Sequence, residues 1–389
     1  MSNKKILQGH NKALESLATI AGIPLAKEGL YVWSKSTYGM TWTQSNIMNH
    51  SFNSIYYSNG IWVAGGNAGL YYSTDGKNWT QSNITSGIFN SIYYSNGIWV
   101  AGGNAGLYYS TDGKNWTQSN VTSNRFKSVY YGNGVWVAGG NGLWYSTDGK
   151  SWTQSNIASG TFNSVYYDND IWVSGGGITS TTGGGGGGSD NGLYYSTDGK
   201  VWTQSNVTSS SFESVYYSNG LWVAGSGGST GLYYSTDGKV WTQSNVKYSS
   251  INSIYYANGL WVAGGSAGLY YSTDGKSWTQ SNITSGIFNS IYYSNGIWVA
   301  GGYNKGYNNG LFYSTDGKSW TQSNGTSGIF NSVYYSNGLW VAGSAGLYYS
   351  ESTFGYIIGD NESDYPDKAV QDGYYYKKVL PPVNPSENI

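Results

Sequence analysis

Phe52-Asn53-Ser54-Ile55-Tyr56-Tyr57-Ser58-Asn59-Gly60-Ile61-Trp62-Val63-Ala64-Gly65 is followed, four residues on, by Leu70-Tyr71-Tyr72-Ser73-Thr74-Asp75-Gly76-Lys77-Asn78-Trp79. Two apolar runs, 52–57 and 61–65, meet at Asn59-Gly60, a dipeptide that accepts the positive φ angles of a tight hairpin. Two further runs, 70–73 and 79–83, meet at Thr74-Asp75-Gly76-Lys77. The stretch therefore reads as four short strands, A to D. Strands A to C carry apolar or aromatic residues on both pleat faces: Ile55 with Tyr56, Trp62 with Val63, Leu70 with Tyr71. A sheet wet on one side would alternate, so these strands are expected to be covered on both.

The stretch recurs. Ser-Thr-Asp-Gly-Lys-x-Trp occurs seven times, with Asp75, Asp112, Asp148, Asp198, Asp237, Asp274 and Asp316 in its centre. The strand A–B block occurs eight times, with Trp62, Trp99, Trp136, Trp172, Trp222, Trp261, Trp298 and Trp340. Four-stranded sheets covered on both faces and repeated about every 37 residues describe the blades of an all-β propeller. The missing eighth Asp-turn block lies at the other end of the chain. Ser36-Thr37-Tyr38-Gly39-Met40-Thr41-Trp42-Thr43-Gln44-Ser45-Asn46 is the same strand D block with Tyr38 in the Asp position. Trp42 precedes Trp62 by 20 residues, as Trp79 precedes Trp99. The reading is an eight-bladed β-propeller whose N-terminal strand completes the last blade and closes the ring. Residues 30–33 and 347–350 both fit strand C of that blade.

Composition agrees with this picture and excludes others. The 389 residues include 59 Gly, 40 Tyr and 18 Trp, and only 10% are charged. Average chains hold about 25% charge and about 7% Gly. Five prolines and no period-three glycine exclude collagen, and 17% aromatic content with a net charge of −1 is unlike a disordered chain. No cysteine is present, so disulfides, thiolate metal sites and Cys nucleophiles are absent together. No basic face suggests nucleic acid, and no apolar run approaches the ~18 residues of a membrane span. Near the start, Gln8, Gly9, His10, Asn11, Lys12 and Glu15 interrupt any signal-peptide core.

Differences among the copies are informative. All length variation lies between the strand B Trp and the strand C Leu, where separations are 8, 8, 7, 21, 10, 8, 13 and 7. The long cases are 175–191 and 302–309. Substitution is densest in the D-to-A connection: Ile-Thr-Ser-Gly-Ile at 84–88, Val-Thr-Ser-Asn-Arg at 121–125, Val-Lys-Tyr-Ser-Ser at 246–250. In a propeller the B–C and D–A loops share one rim, and the nearly invariant A–B and C–D turns share the other. Loops on a rigid scaffold are where binding specificity usually resides. Tyr303, Asn304, Tyr307, Asn308, Arg125 and Tyr248 are the candidate ligand-binding residues.

Chemistry-bearing residues are few. The Ser-x-Asp-Gly-x-x-Trp block resembles the sialidase-type Asp-box repeat, lacking one residue between Asp and Gly. The resemblance implies a structural role for Asp75 and its equivalents, not a catalytic one. A sialidase of that kind needs an arginine triad, and Arg125 is the single arginine. Asp168-Asn169-Asp170 replaces Ser-Asn-Gly in one A–B turn; its carboxylates offer a weak hard-cation site, and Asp as an ordinary turn residue is the preferred reading. Glu213 sits alone on a strand A, so no carboxylate pair for glycosidase chemistry is evident. With only His10 and His50, His-based triads and metal sites have little material. Lys77 and its equivalents read as solvated turn residues. No catalytic residue, metal or cofactor is expected.

The chain ends differ from the ring: all five prolines lie there. Residues 3–22 place Leu7, Leu14, Leu17 and Ile20 at spacing suited to a short helix ending near Gly22 and Pro24. Ile6-Leu7-Gln8-Gly9-His10-Asn11-Lys12-Ala13-Leu14 through Ile23-Pro24 resembles the N-terminal segment of tail-associated proteins in phages of Gram-positive bacteria. Tyr365-Pro366-Asp367 through Asp372-Gly373-Tyr374-Tyr375-Tyr376 resembles short modules of the same phage tail and fibre proteins. The division is an attachment segment 1–28, a propeller 29–350 and a C-terminal tail module 351–389. The resemblance implies a virion tail protein, extracellular after release, whose ends dock to other tail proteins or to sister copies. It also implies that the propeller recognises a bacterial surface glycan. A spacer or assembly module is the alternative, and a polysaccharide-cleaving enzyme fits the shortage of acids and histidines least.

Overall fold

The computed structural model describes residues 31–36, 39–177, 192–208, 210–228, 230–303, 310–326, 328–351, 355–359, 369–371 and 374–378. The helix expected within 3–22 lies outside them. Gly39–Ser350 form one compact unit, an eight-bladed propeller of four-stranded antiparallel sheets. Blade 1 is typical: strand A Phe52–Ser58, B Ile61–Gly66, C Gly69–Ser73 and D Thr80–Gln81. Blades 2 to 7 begin strand A at Phe89, Phe126, Thr161, Phe212, Ile251 and Ile287. Each strand A neighbours the next, and the eighth, Ser332–Ser336, neighbours the first, so the A strands surround the ring axis.

The last blade is assembled from both ends of the propeller. Its sheet order joins Thr43–Met48 to Gly346–Glu351, then Leu339–Gly343 and Ser332–Ser336. Strand C of the closing blade is thus Gly346–Glu351, which settles the choice that repeat spacing left open. Even the Asp-type turn is shared: the Gly39 N–H donates to Ser350 Oγ at 3.0 Å, as the Gly76 N–H donates to Ser73 Oγ at 2.8 Å. Tyr31–Ser36 belongs instead to the second unit, in a four-stranded sheet with Gly355–Gly359, Tyr374–Lys378 and Ala369–Gln371.

Packing explains the composition. The core lies between blades: Val63 and Leu70 of blade 1 cluster with Phe89, Ile92, Trp99 and Trp116 of blade 2. All eight strand B tryptophans are at most 1% exposed. Glycine serves this interface as well as the turns. A Cβ on Gly65 would stand 2.8 Å from Phe89 Cβ, so the blades approach as closely as they do because that side chain is missing.

Each Asp turn is locally self-sufficient. Partial burial opposes ionisation of Asp75. The Asn78 N–H and carboxamide, the Lys77 N–H and Ser73 Oγ outweigh that and hold the carboxyl far below the usual carboxylate range. Trp79 Nε1 closes the turn on the Gly76 carbonyl at 3.1 Å. Blades are stapled by an asparagine: the Trp79 N–H donates to Asn46 Oδ1 at 2.8 Å, and Asn46 Nδ2 donates to the Trp79 carbonyl at 2.9 Å. The same two-bond staple runs through the six following joints, from Asn83–Trp116 to Asn282–Trp320. The turn lysines are less free than the sequence suggested. Each Nζ lies 5.6–5.8 Å from the centroid of a tyrosine in the preceding blade, as Lys114 does over Tyr72.

The A–B turns are uniform, with Asn59 at φ 50° and Gly60 at φ 77°. Blade 4 breaks the pattern, because Asp170 holds φ 57° where the other seven turns have glycine. Its carboxylate accepts only a 3.3 Å bond from the Tyr167 hydroxyl. Asp170→Gly is expected to raise the unfolding free energy by about 0.5–1 kcal/mol, because glycine holds this φ without strain. Urea unfolding is the measurement, and a lower midpoint would show that the carboxylate contact outweighs the strain.

Candidate ligand-binding rim and axial mouth

The variable loops share one rim, as the strand directions require. In blade 1 the Gly69 N–H donates to the Gly87 carbonyl and the Asn67 N–H to the Ser51 carbonyl, which ties the B–C loop to both flanking D–A connections. Of the six residues expected to bind ligand, three fall within the described residues. Tyr248 is 85% exposed at φ 63°, Arg125 is exposed just before strand A of blade 3, and Tyr303 ends a blade 7 strand at 37% exposure. They stand on three different blades. Asn304, Tyr307 and Asn308 lie outside the described residues.

Comparison of the rim positions reveals an arc that reading single loops missed. Among the described residues, six of the eight exposed large apolar side chains lie on this rim, and only Val201 and Val240 lie on the other. In the segments leading into strand A, Tyr248, Ile287, Ile329, Met48 and Ile88 serve blades 6, 7, 8, 1 and 2, which are consecutive around the ring, with Met48 three residues further out than the isoleucines. Entries to blades 3, 4 and 5 carry Arg125, Thr161 and Ser211 instead. The rim is therefore apolar on one side and polar on the other.

Strand A builds a second set of groups around the axis. In blades 1 to 7 a bulge interrupts the A–B register one residue after the buried Phe or Ile near the start of strand A, as between Phe52 and Ser54. A bulge takes a residue out of the ladder and re-aims its side chain. Here that residue meets its counterpart in the next blade. Asn252 Nδ2 donates to Asn289 Oδ1, Asn289 to Asn331, Asn331 to Asn53 and Asn53 to Asn90, at 3.2–3.4 Å. The carboxamide chain breaks at blades 3 and 5, where the position holds Lys127 and Glu213. Between them, Asn163 Nδ2 donates to Glu213 Oε1 at 3.1 Å. Burial raises the Glu213 pKa and the Lys127 charge partly offsets this. Comparing this position across the eight copies in the sequence exposes both exceptions. What the sequence lacked was a reason to single the position out, since the bulge that gives it meaning is a tertiary feature.

Deeper along the strands, eight tyrosines close a girdle. Tyr56, Tyr93, Tyr130, Tyr166, Tyr216, Tyr255, Tyr292 and Tyr334 follow one another at centroid distances of 4.7–5.4 Å and return to Tyr56. Each also meets the strand B tryptophan of the next blade edge-on, as Tyr56 meets Trp99 at 6.1 Å. Burial, then neighbouring phenols, push the Tyr56 and Tyr93 hydroxyls well above the usual tyrosine range. They stay neutral hydrogen-bonding groups at any physiological pH.

Charge divides between the rims. Among the described propeller residues, the turn rim holds the seven Asp–Lys turns with Asp168 and Asp170. The variable rim holds Arg125, Lys127, Lys247 and Glu213. No group of three or more His, Asp or Glu side chains suited to a metal occurs among the described residues.

No family model and no curated protein matches the chain. Solved structures do. The computationally designed Ika8 protein is similar at TM-score 0.62 and 11% identity, over 79% of this chain and 98% of that one. Saccharomyces cerevisiae Sqt1 is similar at TM-score 0.58 and 11% identity, over 81% and 98%. Moraxella catarrhalis BamB matches at TM-score 0.58 and 9% identity, over 80% and 98%. At such identities the likeness carries the fold alone.

Proposed function

We propose that this protein is a phage tail-associated adhesin that recognises a bacterial surface glycan through the variable rim of its propeller. The observation that carries the reading is the asymmetry of the two rims. One repeats Asn-Gly and Asp-Gly turns almost without change. The other gathers the loop insertions and, among the described residues, six of the eight exposed large apolar side chains and the ionic groups outside the turns. Aromatic and aliphatic faces beside carboxamides and hydroxyls suit sugar rings. The end segments that resemble phage tail proteins supply the setting: a virion tail, with other tail proteins as partners. Binding without cleavage is favoured because Glu213 is the sole carboxylate of this rim among the described residues, and glycosidases use two.

Tyr248 supports a binding role in particular. A non-glycine residue at φ 63° costs about 1–3 kcal/mol, and a side chain 85% exposed recovers little of it by packing. Tyr248→Gly is expected to raise the urea midpoint while weakening attachment to host cell walls. Replacing 302–309 with a short Gly-Ser-Ala loop is expected to weaken attachment as well. Purified protein is assayed by sedimentation with host walls and on a glycan array. Wall binding that both variants leave unchanged would assign the ring to a spacer role instead.

A further inference from the structure

The break in the axial carboxamide ring is a second departure from the repeated blade, separate from the apolar arc. From it we infer that Lys127, Asn163 and Glu213 form a subsite at the axial mouth for an anionic group, phosphate or carboxylate, borne by a hydroxylated ligand. The inference rests on the glycan-binding reading and names the chemistry of one part of that ligand.

Three observations carry it. First, the asparagines of the ring satisfy one another, whereas the Lys127 ammonium makes no hydrogen bond or ion pair within 4 Å among the described residues and meets only the longer-range field of Glu213. A lysine ammonium has three donors, and the bulge sets this one at the mouth of the axis rather than on a freely solvated loop. Second, Arg125 precedes it by two residues on the same blade, so the variable rim has three described cations against one acid. Phosphate and carboxylate are the groups that such donors bind best. Third, blade 5 has glycine in the loop beside Glu213, as blade 4 has Gly177 at the equivalent position. Gly227 occupies the loop position held by Asn67, Asn104, Asn141 and Ser266 in other blades. The N–H of each donates to the carbonyl just before its strand A. A Cβ on Gly227 would stand 2.3 Å from Glu213 Oε1, so this loop is bare where the carboxyl lies. Glu213 is thereby held beside Asn163, with its second oxygen free of any described partner and able to take a ligand hydroxyl.

The internal repeat supplies well-behaved variants, because Lys127→Asn and Glu213→Asn restore the residue of the other blades. Both are expected to fold with an unchanged or higher thermal midpoint. Titration calorimetry on the full chain compares glucose 1-phosphate, glucuronic acid, inorganic phosphate and glucose. The anionic sugars are expected to bind at least about tenfold more tightly than glucose, and Lys127→Asn to remove that margin. The tighter of the two anionic sugars identifies the group as phosphate or carboxylate. Glu213→Asn is expected to abolish the preference for glucose 1-phosphate over inorganic phosphate, and Lys150→Ala on the opposite rim to change nothing. Equal affinity for all four probes, or affinities indifferent to Lys127→Asn, overturns the subsite. Host-wall binding that survives Lys127→Asn also overturns it while leaving the adhesin reading intact. Lys127-dependent anion binding by a protein that ignores host walls does the reverse.

Discussion

A chain that begins at residue 50 is expected to melt more than about 10 °C below the full chain, or to associate through an open blade. Residues 39–49 contribute strand D of blade 8 and the groups that lock it. Trp42 is 3% exposed, and emptying such a site costs about 3–5 kcal/mol. Main-chain pairing of Thr43 with Tyr349 and Gln44 with Tyr348 is lost, as is the bond from Ser323 Oγ to the Gly39 carbonyl at 2.8 Å. The Asn46 staple to Trp79 goes too, which loosens the joint to blade 1. At about 1 kcal/mol per hydrogen bond, these losses approach the 5–15 kcal/mol that holds a typical domain together. The remaining Leu347-Tyr348-Tyr349 strand presents an unpaired edge. A synthetic peptide of residues 39–49 is expected to restore the midpoint in trans, and the same peptide with Trp42→Ala to fail. Calorimetry and gel filtration read both effects. A truncated chain that melts within about 2 °C of the full chain would show that the ring holds without its N-terminal strand.

Gly325→Val is expected to lower the unfolding free energy by about 3 kcal/mol or more. Seven strand D blocks read Ser-Asn followed by Ile or Val, and only Ser323-Asn324-Gly325 differs, so comparison of the repeats alone favours valine there. Tertiary structure says the opposite. At this one joint the main chain replaces the side-chain staple: the Trp42 N–H donates to the Asn324 carbonyl at 3.1 Å, and the Asn324 N–H to the Met40 carbonyl at 2.7 Å. Gly325 holds φ 77°, and a Cβ on it would stand 2.3 Å from the Trp42 carbonyl oxygen. The obstacle is backbone, which cannot swing aside as a side-chain tip can. Urea unfolding followed by tryptophan fluorescence measures the loss. An unchanged midpoint would mean that the closing joint can adopt the asparagine staple of the other seven.

The two expectations divide along what a repeat does and does not encode. Blade boundaries, the Asn-Gly and Asp-Gly turns and the blade count are local or periodic, so residues within one copy carry them. Closure was also legible, because the strand D block at 36–46 is recognisable apart from its partners. Strand C of the last blade was not, since 30–33 and 347–350 satisfy the same local pattern. Pairing decided it: Gly346–Glu351 meets Leu339–Gly343, while Tyr31–Ser36 meets Gly355–Gly359. The candidate site divides the same way. Tyr248, Arg125 and Tyr303 were found as residues that break the copy, and the structure places all three on the variable rim. Lys127 breaks the copy equally, but nothing local marks it, and Glu213 lacks a second carboxylate nearby in the sequence pattern. Their position shows its meaning only once seven bulges aim it at the axis.

The sequence by itself determined one blade, written eight times, and the strand that joins first to last. That information is local, because turn dihedrals, strand alternation and the Asp-turn hydrogen bonds each lie within a few residues. Tertiary structure alone decided which residues share the axis, which consecutive blades form the apolar arc and why one joint requires glycine. Each of those depends on distances between blades. Only closing the ring brings residues 42 and 324, or 127, 163 and 213, to the same place.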